Sequence, residues 1–251
     1  MTQAKRKIVA FIKQKVRDSK TDGVVLGLSG SIDSAVTAYL SVEALGNRRV
    51  HGLVLPDQRV TPESDISDAK VVAEELCIET RLIDIAPIHR AFMKNLAADK
   101  LAEGNLQDRI RMSIIYYRAN SMNRLVAGTG DKSELSLGHF TKYGDSGVDI
   151  LPIGDLYKTE VRRLGEALGI SRRIISKRIS PWLWQGRTVE GELGLTDDVI
   201  DEILKLYFEE RLSPKSISSR IKLDANVVER ILTRCRESAH KRESPEICKI
   251  R

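Results

Sequence analysis

Short runs of apolar and β-branched residues alternate with longer segments of helical period over the first two thirds of the chain. GVVLGL at 23–28, RVHGLVL at 49–55 and ETRLIDI at 79–85 predict buried strands, RLVAG at 124–128 predicts a short fourth, and a fifth is expected near 149–152. Between them, helical patterns run over 33–45, from Pro62 to about Leu76, around 87–98 and over 106–122. Pro62 suits the first turn of its helix, where its missing N–H costs nothing. Strands separated by helix-length crossovers pair in parallel, and such a sheet is stable only when helices cover both faces. The expected fold class is therefore α/β, with a doubly wound, mostly parallel, five-stranded sheet. Ahead of it, Ile8, Phe11, Ile12 and Val16 form one apolar stripe, which predicts a first helix.

After Gly154 the pattern turns helical. LYKTEVRRLGEALGI at 156–170 is one helix, 180–196 is irregular and holds Trp182 and Trp184, and 197–210 is amphipathic. Ser213-Pro214 and Asp224 open two more helices. The chain of 251 residues thus reads as a single domain: an α/β core to about 170, then a lid segment and C-terminal helices over about 171–251. With 41% hydrophobic and 30% charged residues, the composition is that of an ordinary globular protein. No apolar run is long enough to span a bilayer, and the N-terminus lacks a signal-peptide pattern, so no membrane association is expected. Cys77, Cys235 and Cys248 form no CxxC pair and their number is odd, which points to reduced thiols and a cytoplasmic setting. A net charge of +6 suits a polyanionic partner, nucleotide or nucleic acid alike.

The segment Gly27-Leu28-Ser29-Gly30-Ser31-Ile32-Asp33-Ser34 leaves the first strand and enters a helix. Unpaired N–H groups at a helix N-terminus attract phosphate, glycines allow close approach, and the hydroxyls add donors. The lysine of a GxxxxGK[ST] loop is absent. Asp33 puts a carboxylate in a phosphate loop, an arrangement that a bridging Mg²⁺ reconciles. A second polar stretch, GTGDKSELSLGHFTKYGDSGVDI, follows the fourth strand and is expected at the same sheet edge. It contributes Thr129, Glu134 as a second candidate Mg²⁺ ligand, and Lys142.

SGSIDS resembles the SGGxDS loop of the ATP pyrophosphatases, with Ser31 where that motif has its second glycine. Together with GTGDKSEL, HFTKYGDSGVDILPIGDLYKTEVR, LPDQRVTPESDISDAKVVAEELCIETRLIDIAPI and NLQDRIRMSIIYY, it makes the chain resemble the ammonia-dependent NAD synthetases from about residue 5 to 245. The resemblance implies a Rossmann-like fold of the adenine nucleotide alpha hydrolase type. It implies a ligase that uses ATP and ammonia to amidate deamido-NAD through an acyl adenylate, releasing AMP and pyrophosphate. Residues 27–34, Thr129, Lys158 and Ser180 would then contact ATP. Asp33 and Glu134 would hold Mg²⁺ and, with Lys158, carry the chemistry. Arg109, Lys142, Asp149, His240 and Lys241 would contact deamido-NAD. Homodimers are typical of the family. The segment ISPWLWQGRTVEGELG departs from it at Arg187-Thr188-Val189-Glu190, where a Gln-Thr-Asp-Glu run is usual.

Two rivals share some of these features. RNA-modifying enzymes also use the pyrophosphatase loop, but generally with an RNA-binding appendage or catalytic cysteines. SPKSISSRIKLDANVVERILTRCR at 213–236 has the outline of a DNA-binding helix pair, although docking of both helices on the main domain is commoner. Glutamine use would need an amidase ahead of the phosphate loop, and only one helix and one strand precede Gly27, so free ammonia is the expected nitrogen donor.

Overall fold

A computed structural model describes residues 1–177 and 194–250. Four parallel strands, β1 (Val24–Gly27), β2 (Val50–Val54), β3 (Glu79–Leu82) and β4 (Leu125–Val126), form a sheet in the order β3-β2-β1-β4. The expected fifth strand is reduced to one parallel bridge between Ala127 and Ile150. The Asp149 carboxylate takes the Val126 N–H at 2.7 Å, and the chain turns away at once through Pro152 and Gly154, so no ladder extends.

Side-chain alternation divides β1, β2 and β4 between two cores, whereas the edge strand β3 is exposed along its length. Val24 and Leu26 of β1, with Val50 and Val54 of β2, face α1 (Thr2–Asp18), α2 (Ile32–Leu45), α3 (Glu63–Glu75) and α7 (Lys158–Ala167). Val25, Leu53 and Leu55 face α4 (Ala86–Met93) and α5 (Lys100–Ser121) on the opposite side. The period of two is what a strand buried on both faces demands. Ile12 and Val16 of the first helix are buried as its stripe predicts. The helix expected around 87–98 stops at Met93, and the one expected at 106–122 begins earlier, at Lys100, where the Asp99 side chain caps it.

Two short helices, α6 (Lys132–Leu137) and α8 (Arg172–Ile175), flank α7 in sequence. The C-terminal helices are α9 (Asp197–Phe208), α10 (Pro214–Ile221) and α11 (Ala225–Glu237). They share a third core, in which Ile200, Ile203, Ile217, Val228, Ile231 and Leu232 pack with Leu137 of α6 and with Tyr157. The apolar sides of the helix pair at 213–236 are thus turned inward onto α9 and α6. No helix among the described residues is long and apolar enough to cross a membrane.

Candidate active site

The connection from β1 runs to β2 on one side while β4 lies on the other, so the carboxyl ends of β1 and β4 open a crevice at a topological switch point. Gly27, Leu28, Ser29, Ser31, Asp33, Thr129 and Glu134 line a cavity of about 280 Å³ there.

The phosphate loop holds itself in shape. Ser31 caps α2 with φ −88° and ψ 161°, ordinary extended backbone, and its side chain accepts the Ser34 N–H. A serine in place of the motif's second glycine therefore strains nothing. Gly30 is the position that needs glycine: its φ is +77°, and a Cβ there would lie 2.2 Å from the Asp65 carbonyl oxygen. Ser34 Oγ accepts from Ser29 N at 3.3 Å and donates to Ser31 O at 3.0 Å, closing the turn from inside. Ile32 points into the core and Ser34 is buried, so these two support the loop while Ser29 and Ser31 face the cavity. Lys177, which also lines the cavity, donates to Gly30 O at 3.2 Å and pairs with Asp65 at 2.6 Å and with Asp68.

Behind the loop stands a cluster of four charges. Lys158 Nζ lies 2.8 Å from Asp33, 2.6 Å from Asp131 and 3.0 Å from Glu134. Asp131 caps α6, accepting the Glu134 N–H at 2.8 Å, while Glu134 accepts the Asp131 N–H at 3.4 Å. This capping box presents both carboxylates on one side of the first turn. Lys158 sits at the start of α7 and is 4% exposed. Burial disfavours its charge, but the carboxylates of Asp131, Asp33 and Glu134 outweigh that and hold the ammonium pKa well above its ordinary value. Burial and the neighbouring carboxylates push Asp131 up to about 6 despite Lys158, and push Glu134 well above the carboxylate range. One oxygen each from Asp33, Asp131 and Glu134 lie within 4.8 Å of one another. Three carboxyl groups gathered round one ammonium make an all-oxygen donor set that suits a hard divalent cation, whose binding would favour their ionised forms.

Across the cavity, Arg111 donates to Leu55 O at 3.0 Å and to Asp108 at 2.9 Å. Asp145 accepts the Thr141 N–H at 2.6 Å. Asp145 is exposed at the cavity edge; partial loss of hydration there, then the nearby Asp108 carboxylate, push it up to about 7.

Outside the cavity lining, Arg109 donates to Lys142 O at 3.3 Å, and Lys142 donates to His240 O at 2.7 Å. Lys241 donates to Gly138 O and Phe140 O at 2.7 and 2.6 Å. Arg242 donates to Leu135 O and Ser136 O, and Arg234 to Leu137 O. Arg234, Lys241 and Arg242 thus gather on the carbonyl end of α6, where the helix dipole favours them. Asp149 stands apart from this group, bonded to Tyr116 at 3.0 Å and to Val126 N. Ser180, Trp182, Trp184 and Arg187–Glu190 lie outside the described residues.

Sequence reasoning did not single out Asp131, Asp145, Asp108, Arg111 or Lys177. Asp131 lies inside GTGDKSEL, and its spacing to Glu134 is the capping-box signature. Asp145 lies inside a Tyr-Gly-Asp-Ser-Gly run that reads as a turn, and nothing in the sequence marks its proximity to Asp108.

Residues 4–245 match the family model described as NAD synthase. The chain is 51% identical to the NH(3)-dependent NAD(+) synthetase of Archaeoglobus fulgidus, over 98% of this chain and 96% of that one. The structure is similar to that of the NMN synthetase from Francisella tularensis, with TM-score 0.87, 34% identity and coverage of 99% and 98% of the two chains. It is likewise similar to the NH3-dependent NAD synthetase from Campylobacter jejuni, with TM-score 0.84, 34% identity and the same coverage.

Proposed function

The chain belongs to the NAD synthase family, and on that basis we propose that it is an ammonia-dependent ligase that amidates deamido-NAD to NAD at the expense of ATP. The observation that carries the reading is the convergence of the phosphate loop, Lys158 and three carboxylates on one cavity edge. In the first step, an oxygen of the nicotinate carboxylate attacks the α-phosphorus of ATP, and the α–β phosphoanhydride bond breaks to release pyrophosphate. In the second, ammonia attacks the acyl carbon of the adenylate, AMP leaves, and the nitrogen gives up a proton.

Anion attacking anion is the difficulty in the first step, so the site must bring positive charge to the phosphates. The N–H groups opening α2 and the hydroxyls of Ser29 and Ser31 face the triphosphate, and Lys158 stays charged at any physiological pH. Asp33 and Glu134, joined by Asp131, would hold Mg²⁺, which when bound neutralises charge on the phosphate oxygens. Thr129 and Gly128 let the nucleotide approach the end of β4. Asp145 lines the same cavity, its carboxyl is pushed upward beside Asp108, and it would accept the proton that the attacking nitrogen releases. Arg109, Lys142, His240 and Lys241 would meet the dinucleotide phosphates outside the cavity, and Ser180 and Asp149 complete the proposed contacts. A homodimer belongs to the same proposal, supported by the exposure of Phe92, Leu96, Leu101 and Tyr117 on and between α4 and α5.

The test is to incubate the protein with ATP, Mg²⁺, deamido-NAD and ammonium and to measure NAD, AMP and pyrophosphate. ADP as the stoichiometric product, or no NAD at all, overturns the reading. The similarity to a structure called an NMN synthetase makes the mononucleotide a second reading. A parallel reaction with deamido-NMN decides it: a higher kcat/KM for the mononucleotide would replace the dinucleotide as substrate.

A further inference from the structure

We propose that Asp201 in α9 is a positioning residue for the Lys158–carboxylate cluster, fixing the first turns of α6 and α7 against each other. The inference rests on the function proposed above and adds to it a residue more than forty positions beyond Lys158 in the chain.

Asp201 is 1% exposed and lies within the apolar packing of α9. Burying a carboxylate is costly unless donors surround it. Here the donors come from the site. Ser133 Oγ donates to Asp201 Oδ1 at 2.5 Å, and the Thr159 N–H donates to Oδ2 at 2.8 Å. Ser133 Oγ in turn accepts the Lys158 N–H at 3.0 Å. The first two backbone donors of α7 are therefore satisfied by one carboxylate, one directly and one through a hydroxyl. Tyr157, the residue preceding α7, has no short oxygen-bearing side chain to do this itself. A negative group at this end of the helix also matches its dipole.

The other end of the relay is equally placed. Ser133 lies between Asp131 and Glu134, the two carboxylates of the capping box. A bond from Ser133 to Asp201 fixes the rotation of the turn that presents both. Asp201 touches none of the four charged groups of the cluster. It holds the backbone of the helix that carries Lys158 and the hydroxyl beside Glu134, so the 2.6–3.0 Å spacings between them depend on it. Docking of α9 does not need this carboxylate, because Ile200, Ile203 and Leu204 already bury an apolar face. The rim of the same contact carries its own ion pairs, Arg162–Asp197 and Lys132–Glu209, so the one carboxylate buried at its centre fits a role in geometry better than one in adhesion.

The experiment compares Asp201→Ala, Asp201→Asn, Ser133→Ala and the Ser133→Ala/Asp201→Ala double variant, with Asp198→Ala on the exposed side of the same helix as control. Asp201→Ala is expected to lower kcat by about a hundredfold, the scale of a displaced reacting group. The KM for ATP should rise, while the KM for deamido-NAD stays within about twofold, because only the phosphate side of the site is disturbed. Mn²⁺ affinity in the presence of ATP, read by electron paramagnetic resonance, should fall about tenfold. Asp201→Asn keeps an acceptor oxygen and should recover part of the loss. The two single losses should not multiply in the double variant, because both cut one relay. Wild-type kcat and Mn²⁺ affinity in a folded Asp201→Ala protein overturn the inference, as do multiplicative losses or equal changes in both KM values. If Asp201→Ala does not fold, Asp201→Asn and Ser133→Ala are judged by the same measures. A wild-type protein that makes no NAD defeats the proposed function, whereas an active wild type with indifferent Asp201 variants defeats only the positioning role.

Discussion

The Lys158 ammonium stands 2.8 Å from the Asp33 carboxylate, although the two residues are 125 positions apart in the chain. Asp33 comes from the first turn after β1 and Lys158 from the first turn of α7, so two helix N-termini meet at one point. Their pairing ties the phosphate loop to the second half of the site.

Lys158→Met should lower kcat by about a hundredfold or more, since it removes charge that the transition state needs. It also leaves Asp33, Asp131 and Glu134 facing one another without a counter-ion, at a cost of about 3–5 kcal/mol in stability. Thermal melting in the absence of divalent cations measures that cost, and added Mg²⁺ should restore much of it. Asp33→Ala and Glu134→Ala should each abolish most turnover even at saturating Mg²⁺. Near-normal rates in both would remove them from the metal assignment.

Gly30→Ala should destabilise the chain by about 1–3 kcal/mol, because it strains a positive φ and meets the Asp65 carbonyl. Ser31→Gly should cost only about a few tenths of a kcal/mol, since glycine is a fair N-cap. Denaturant titration of the two variants checks the order. A larger loss from Ser31→Gly would contradict the loop geometry.

Asp145 gives a pH dependence that it shares with the neighbouring Asp108 carboxyl and that its exposure to solvent reduces. In the folded chain its carboxyl holds a proton up to about 7, against 3.8 for the unpaired group, so the folded state binds more protons between those values. Its contribution to stability is complete below the lower value and is lost as pH rises through the upper. Asp145→Asn should therefore gain stability relative to the parent chain in melts at pH 8, and not at acid pH. The same variant should flatten the rise near pH 7 in the amidation step, with rates referred to free ammonia. An unchanged profile would dismiss Asp145 as the proton acceptor.

Arg109→Ala and Lys142→Ala should raise the KM for deamido-NAD more than the KM for ATP. The two are linked through the Lys142 carbonyl and do not line the cavity that the phosphate loop lines. Initial-rate measurements with each substrate varied in turn provide the check. Equal increases would argue against this division of the site.

The sheet and its flanking helices were legible because their signals are local: β-branched runs bounded by helical periods. The fifth strand was not, because a single side chain, Asp149, intercepts the Val126 N–H that a longer ladder would have used. Asp33 and Glu134 stood out through motif context. Asp131 did not, since an acid ahead of a helix reads equally as a cap, and here it is both cap and cluster member. Lys177, Asp145 and Asp201 matter through contacts with Gly30, Asp108 and Ser133 that only the tertiary fold creates.

The cations gathered on the carbonyl end of α6 bear on the order in which the site is completed during synthesis. Arg234, Lys241 and Arg242 hold the helix that presents Glu134, and Asp201 anchors its first turn. The phosphate loop, at residues 27–34, leaves the ribosome some two hundred residues earlier. A growing chain thus carries its phosphate-binding turn long before it carries a finished ligase. The turn that presents Asp131 and Glu134 therefore gains its last supports only when the C-terminal helices have folded back.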